Sequence, residues 1–277
     1  MRYKVKRKST LAVLLATLLA SAAGTLPAKD QAAAREKAQQ ASEVADEAER
    51  DLALLALTQM SAYLRSLERY HVTGSVSRDL VLEDGQKLQM DKQVSLLVAE
   101  PDKLYMETST AYGKREFYFD GKQFTVYLPA LKYYAEFDAP GTLAEAILRA
   151  EEKHDIEFPF VDLFLWGTEH ADFDAIEDAQ VVGISQVNGI SCNHFAFRQE
   201  EVDWQVCIKR GGNPLPLKLV ITTKTLAEQP QYVAVMNRDT APVIFGRDFS
   251  FQPRQGDMKI KFGIEDLKAA GKAGGKQ

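Results

Sequence analysis

Between residues 72 and 262 the sequence is a succession of short segments in which apolar and polar residues alternate. A period of two places successive side chains on opposite faces of a β-strand, so each segment predicts a strand with one buried face. Asp84-Gly85, Asp120-Gly121 and Asn188-Gly189 separate neighbouring segments. Such pairs are typical of hairpin turns, because Gly tolerates a positive φ. We therefore predict one antiparallel sheet of about eleven strands.

A sheet with this many strands twists and does not stay flat. We expect it to curl into a half-barrel or to close, with helices packed in or over its concave face. The predicted fold class is mostly β, of the α+β type, and the sheet domain extends over residues 51–265.

Three parts of the chain predict helices. Residues 29–50 are rich in Ala, Glu, Gln and Lys, so we expect a polar helical lead-in. From residue 51 to 69 apolar side chains recur at helical spacing, which predicts an amphipathic helix that packs on the sheet. Thr142 and Glu145 form a capping-box pattern at the start of a helical insertion over residues 141–166.

The N-terminus predicts export from the cytoplasm. A basic stretch is followed by an apolar run over residues 11–23 and then by small residues, which is typical of a signal peptide ending near residue 28. The run is shorter than the roughly 20 residues that a spanning helix needs, and no cysteine near it offers a site for lipid attachment. We expect a cleaved, non-lipidated periplasmic protein without stable membrane insertion, ending in a disordered tail over residues 266–277.

Net charge narrows the range of partners. Cleavage after residue 28 removes five basic and no acidic residues, which takes the formal net charge from −5 to −10. A chain this acidic shows no electrostatic footprint for nucleic acid or for anionic lipid headgroups.

One hairpin and one insertion supply candidate ligand contacts. A two-residue turn at Asp120-Gly121 would pair Phe119 with Lys122, Phe117 with Phe124, and Arg115 with Val126. The apolar members of this group would share a face that packs under the helices or lines a cavity, and Arg115 would latch a lid or lie at the sheet edge. Residues 160–166 are apolar nearly all round and predict either a core helix or a lid. The candidate cavity and lid residues are Phe117, Phe119, Phe124, Val126, Leu128, Phe160, Leu163, Phe164, Trp166 and Arg115.

Cys192 and Cys207 fall on consecutive predicted strands, on the same face as His194. In an oxidising compartment the two cysteines could form a disulfide or remain buried thiols, and the spacing leaves both open. We interpret His194 as structural. The four histidines show no metal-ligand spacing, and neither a nucleophile elbow nor a phosphate loop occurs, so no metal, cofactor or enzymatic activity is predicted.

Four stretches of the sequence carry a resemblance to a known family. They are Ser61–Leu64, Phe119–Tyr127 with Pro129, Cys192–Gln199 with Asp203–Gln205, and Pro214–Lys218. They resemble a family of secreted bacterial proteins known as domain of unknown function 2092, and the resemblance covers about residues 50–263. The members of this family are similar in fold to the periplasmic lipoprotein carriers LolA and LolB, so the resemblance implies a curled antiparallel sheet whose helices enclose acyl chains. Cys207 stands where the family usually has an aromatic residue.

The function expected from the sequence is binding or carriage of a hydrophobic ligand, namely a lipid, an acyl chain or an acylated protein, in an apolar cavity. Two alternatives stay open. One is an envelope interaction or structural protein whose cavity is filled by its own helices, and the other is a hydrolase that uses the cleft.

Overall fold

A computed structural model describes residues 28–261. The predicted signal segment, except Ala28, and the C-terminal tail lie outside the described residues. The described residues divide into two compact units, residues 28–52 and residues 53–261.

The first helix, α1, extends without a break from Ala28 to Arg65, where the sequence predicts two helical stretches. In the first unit the described side chains, which begin at residue 35, are exposed. From Ala53 onward the helix has a buried stripe at the spacing that a sheet-packed helix requires. Its members are Ala53, Leu57, Met60 and Leu64, each at most 1% exposed.

Twelve strands follow, one more than the approximate number predicted. They are β1 Arg69–Val81, β2 Lys87–Ala99, β3 Lys103–Thr110, β4 Gly113–Phe119, β5 Gln123–Leu128, β6 Tyr133–Asp138, β7 Asp178–Val187, β8 Ile190–Arg198, β9 Val202–Lys209, β10 Pro216–Thr223, β11 Gln231–Asp239 and β12 Met258–Lys259. Two helices, α2 Leu143–His154 and α3 Asp162–Leu165, and a 3₁₀ turn, Gly246–Phe249, complete the fold. The alternating residues Phe249-Ser250-Phe251 predict a further strand, and this prediction is wrong, because a 3₁₀ turn ends at Phe249 and residues 250–251 form no strand.

The strands form one sheet in the order β12-β6-β5-β4-β3-β2-β1-β11-β10-β9-β8-β7. Two antiparallel meanders, β1–β6 and β7–β11, meet where β1 pairs with β11. The sheet does not close, because its order ends at β12 on one side and β7 on the other. All pairs are antiparallel except β12 with β6, which is parallel.

The link between the two meanders positions the candidate site. Strands β6 and β7 lie toward opposite sides of the sheet, so residues 139–177 have to run from one side to the other. We call these residues the crossing segment. It contains α2 and α3, and its aromatic side chains belong to the same buried cluster as α1 and most of the strands. The crossing segment and α1 therefore cover one face of the sheet, which we call the core face; the opposite side is the outer face.

Local sequence explains how the crossing segment begins. The Thr142 hydroxyl accepts a hydrogen bond from the Glu145 N–H at 3.4 Å, and the Glu145 carboxylate accepts one from the Thr142 N–H at 2.7 Å. This capping box satisfies two of the N–H groups that a helix start leaves without partners. Helix α2 buries Leu143, Ile147 and Ala150 against the sheet.

Candidate functional site: the core face and its buried arginines

The Phe117–Phe124 hairpin lies on the core face, but its predicted pairing is wrong. Phe119 pairs with Phe124, and Phe117 pairs with Val126, so four residues instead of two connect the strands. The Asp120 carboxylate accepts hydrogen bonds from the N–H groups of Lys122 and Gln123 at 3.0 and 2.9 Å, and this side-chain turn widens the loop. A shift of two residues preserves the face, so the group expected to share a face does so.

The structure separates the predicted site residues into two groups. Phe117, Phe119, Phe124 and Val126 are at most 5% exposed, whereas Leu128 is half-buried and Arg115 is exposed. Arg115 pairs with Thr108 near the start of β4. Because β4 lies between β3 and β5, Arg115 is not on an edge strand of the sheet.

The crossing segment inserts Phe158 among these rings. Its ring centre lies 6.0 Å from that of Phe117, 6.3 Å from Phe124 and 5.9 Å from Phe164, each in an edge-to-face arrangement. Such geometry is the preferred one for aromatic pairs. The sequence interpretation began at residue 160 and missed Phe158, although its position between Ile156 and Pro159 extends the apolar run.

The predicted lid residues are all buried against the sheet. Phe160, Leu163, Phe164 and Trp166 are at most 5% exposed. Helix α3 is a single turn of four residues, which is too short to be stable without its packing. The conformation of residues 160–166 is therefore stabilised mainly by burial of their side chains and only slightly by their backbone hydrogen bonds.

Phe160 has an unusual backbone conformation. Its φ is +60°, a left-handed conformation that costs a non-Gly residue about 1–3 kcal/mol. Its N–H donates a hydrogen bond to the Tyr232 hydroxyl at 3.2 Å. Its ring lies over Gly74, where a Cβ would be 3.1 Å from the ring and 2.2 Å from the Val235 carbonyl oxygen. The absence of a side chain at Gly74 thus provides the space that the Phe160 ring occupies.

The core face is filled by the protein's own side chains, because α1, the crossing segment and most of the strands contribute to one buried apolar cluster. Cavities of about 230 and 160 Å³ lie on the outer face. The larger is bounded by Phe251 and β4–β6, and the smaller lies beside Cys207. A ligand on the core face would therefore have to displace the crossing segment.

A charged cluster lies at one end of the core face. Arg65 Nη2 donates to the Leu163 carbonyl oxygen at 2.5 Å, and Arg65 Nη1 is 3.6 Å from Glu100 Oε1. The Tyr70 hydroxyl is 3.5 Å from the same carboxylate oxygen. The guanidinium carbon of Arg238 lies 4.7 Å from the centre of the Tyr70 ring. We call Arg65 and Arg238 the arginine pair.

The arginine pair is incompletely satisfied. Nη1 and Nη2 of Arg238 and Nε of Arg65 are buried, and the described residues offer them no hydrogen-bond partner. Burial, with a smaller effect of Arg65, lowers the pKa of Arg238 to about 10. Burial also raises the pKa of Glu100. Sequence analysis missed Arg238, because an Asn-Arg-Asp run at the end of a strand is typical of an exposed edge.

The cysteines are bonded on the outer face. The Cys192–Cys207 disulfide joins β8 to β9 diagonally, since His194 is the residue that pairs with Cys207. His194 Nε2 lies 3.0 Å from Gln205 Oε1, and Nδ1 lies 3.3 Å from the Ser185 hydroxyl. Both nitrogens have partners, which supports the structural interpretation of His194.

The fold is of the α+β class and is built on a single sheet. This sheet is open and mostly antiparallel, and a helix and the crossing segment cover one of its faces.

The chain belongs to the family described as predicted periplasmic protein, DUF2092, whose model matches residues 53–263. The resemblance seen in the sequence is thereby confirmed. No match was found among curated protein sequences. Within residues 28–261 we find no helix with the length and hydropathy needed to cross a membrane.

Several solved structures are similar. Lipoprotein LppX of Mycobacterium tuberculosis is 11% identical with a TM-score of 0.43, covering 68% of this chain and 94% of its own. LprF of Mycobacterium bovis is 12% identical with a TM-score of 0.44, covering 70% and 95%. A LolA superfamily protein of Nitrosomonas europaea is 10% identical with a TM-score of 0.36, covering 72% and 97%. At these values the similarities supply neither a ligand nor a binding residue for this chain.

Proposed function

We propose that this protein is a periplasmic binding protein or carrier for a hydrophobic ligand, a lipid, acyl chain or acylated protein, that occupies the core face in place of the crossing segment. The observation that carries the proposal is the construction of that segment. It fills the centre of the core face with aromatic side chains, yet its only regular structure near them is a single helical turn.

An exchange of residues 158–166 for a ligand, with α2 left in place, is energetically balanced. Burying a large apolar side chain contributes about 1.5–3 kcal/mol, so the five residues Phe158, Phe160, Leu163, Phe164 and Trp166 contribute roughly 8–15 kcal/mol. An acyl chain of about 14 methylenes gains ~11 kcal/mol, at about 0.8 kcal/mol per CH₂. A bound chain can therefore offset the loss of the segment's contacts.

The conformation of Phe160 favours release of the segment. Its left-handed backbone occurs together with a ring packed over Gly74 and an N–H bonded to the Tyr232 hydroxyl, and we expect both contacts to hold it there. Once the ring leaves, the backbone can relax to an ordinary φ, which recovers about 1–3 kcal/mol. This relaxation lowers the cost of opening.

A second function is favoured by a different observation. The core face is already filled, as expected of an envelope interaction or structural protein whose interior needs no ligand. Such a protein would keep the crossing segment in place permanently and would purify empty.

Mass spectrometry distinguishes the two functions. We would purify the protein from its native envelope without detergent and analyse it intact and after organic extraction. A stoichiometric lipid or lipopeptide is expected for a carrier. An empty protein that also fails to take up a fluorescent fatty acid would contradict the proposal and favour the interaction protein.

Variants test whether the crossing segment is the movable part. We expect the displaced segment to close over the bound ligand as a lid, with Phe164 and Trp166 facing its apolar chain. Phe164→Glu and Trp166→Glu would each place a charge on that surface, which should abolish ligand retention while the β-sheet circular dichroism signal persists. Phe251→Glu is the control, because Phe251 packs against Tyr118 and Tyr127 on the outer face. Unchanged retention in the two core-face variants would refute the role of the segment.

A further inference from the structure

We infer that the arginine pair binds the acidic headgroup of an amphiphilic ligand whose apolar chain takes the place of the crossing segment. This inference rests on the proposed function and specifies the class of ligand. It requires a ligand with one carboxylate or phosphate group at the end of an apolar chain.

Positive charges outnumber negative charges at this end of the core face, which favours binding of an anion there. Two guanidinium groups face one carboxylate, and Glu100 contacts Arg65 but has no described contact with Arg238. The aromatic face of Tyr70 compensates Arg238 only in part, because a cation–π contact lacks the hydrogen bonds that a guanidinium can donate. A carboxylate or phosphate offers paired oxygens that match the guanidinium fork.

Opening the crossing segment increases the need for that anion. Arg65 donates to the carbonyl oxygen of Leu163, which lies within α3. If the segment is displaced, Arg65 loses this partner, and an acidic headgroup can replace it. The same headgroup can supply the partner that Arg238 lacks in the closed state, so one ligand group satisfies both arginines.

The register of β1 connects the headgroup position to the apolar surface. Arg238 pairs with Val72, and Gly74 is two residues farther along the same face, a distance of about 7 Å. Gly74 is where the ring of Phe160 rests. A headgroup at Arg238 would therefore place the first methylenes of its chain at the position that Phe160 vacates.

The other end of the core face has a different character. Arg78 lies eight residues after Tyr70 on β1 and forms an ion pair with the Glu157 carboxylate. Lys92 Nζ lies 3.5 Å from the other oxygen of the same carboxylate. The Arg78 side chain is 43% exposed. Because Arg78 already has a carboxylate partner and contacts solvent, it is a matched control for Arg238: both are arginines on the core-face side of neighbouring strands.

Two fluorescent probes with the same polyene chain test the inference. cis-Parinaric acid carries a carboxylate, and its methyl ester does not. The wild type is expected to bind the acid at least tenfold more tightly than the ester. Arg238→Met should remove this preference, Arg238→Lys should retain part of it, and Arg78→Met should retain it in full.

The outcomes separate this inference from the proposed function. If neither probe binds, both the carrier function and the headgroup site are wrong. Equal binding of acid and ester would leave the carrier function intact and refute the headgroup site, as would a preference that survives in folded Arg238→Met. Inorganic phosphate at millimolar concentration should not displace the acid; displacement would show a site for free anions and contradict the link to an amphiphile.

Discussion

Arg238 and Tyr70 stand on neighbouring strands, and the guanidinium carbon lies 4.7 Å from the centre of the buried ring. Neither Nη atom of Arg238 has a hydrogen-bond partner among the described residues. A buried cation in this state stabilises the closed protein little, because the cost of removing it from water exceeds what one aromatic face returns.

We therefore expect Arg238→Met to raise the stability of the ligand-free protein. Replacing an incompletely paired buried charge by an apolar side chain of similar size is often neutral or stabilising by about 1–4 kcal/mol. For a unit of this size each kcal/mol corresponds to about 2–4 °C in Tm. Thermal unfolding followed by circular dichroism measures the change. A fall in Tm of several degrees, absent from Arg78→Met, would show that Arg238 is a structural residue.

Local features of the fold could be predicted from the sequence. Alternation gave the strands, and the Thr142/Glu145 pair marked the helix start, because both depend on neighbours within a few residues. The faces of Cys192 and Cys207 also followed from strand periodicity. The hairpin register was wrong because the Asp120 side chain competes for the backbone N–H groups that would define a two-residue turn.

Nonlocal features could not be predicted. The pairing of β1 with β11 joins residues about 160 positions apart, and no hairpin signal specifies it. That pairing brings Arg238 beside Tyr70. Because the two residues are far apart in the sequence, no short motif could predict the candidate anion site. It also makes residues 139–177 cross the sheet, which determines what packs on the core face.

Phe160 offers a test of backbone strain. Replacing it by Ala or Gly removes the same ring and should cost several kcal/mol. Gly normally destabilises relative to Ala, but at a φ of +60° it avoids the steric penalty. We expect Phe160→Gly to unfold at higher urea concentration than Phe160→Ala, with a difference of about 1 kcal/mol. The reverse order would mean that the segment around residue 160 is not held in this conformation.

The disulfide should stabilise the sheet without affecting ligand exchange. Closing a loop of 15 residues contributes about 3 kcal/mol by restricting the unfolded chain. Reduction, or Ala at both Cys192 and Cys207, should lower Tm by roughly 6–12 °C. Uptake of parinaric methyl ester below that Tm should stay the same, because the disulfide lies on the outer face. As a control, reductant should not change the Tm of the double variant. A change in uptake of parinaric methyl ester would contradict the separation of the two faces.

The crossing segment should open more readily as pH rises. Burial raises the pKa of the Asp162 carboxyl from its ordinary 3.8 to about 6. The packed segment therefore favours the protonated form, and this stabilisation is complete at low pH and lost as pH rises through 6. Tyr232 and Glu151 interact electrostatically with this carboxyl. Burial also raises the pKa of Glu151, so Glu151 acts in the same direction.

The association rate of parinaric methyl ester, which is uncharged at every pH, reports opening without interference from the arginine pair. We expect association to be several-fold faster at pH 7.5 than at pH 5 in the wild type. Asp162→Asn should remove most of this dependence and should open slowly at both pH values, since an amide at that position stays neutral. Glu151→Gln should remove only a part. Equal rates in the wild type, or an Asp162→Asn variant that keeps the full dependence, would show that the segment is not the barrier to entry.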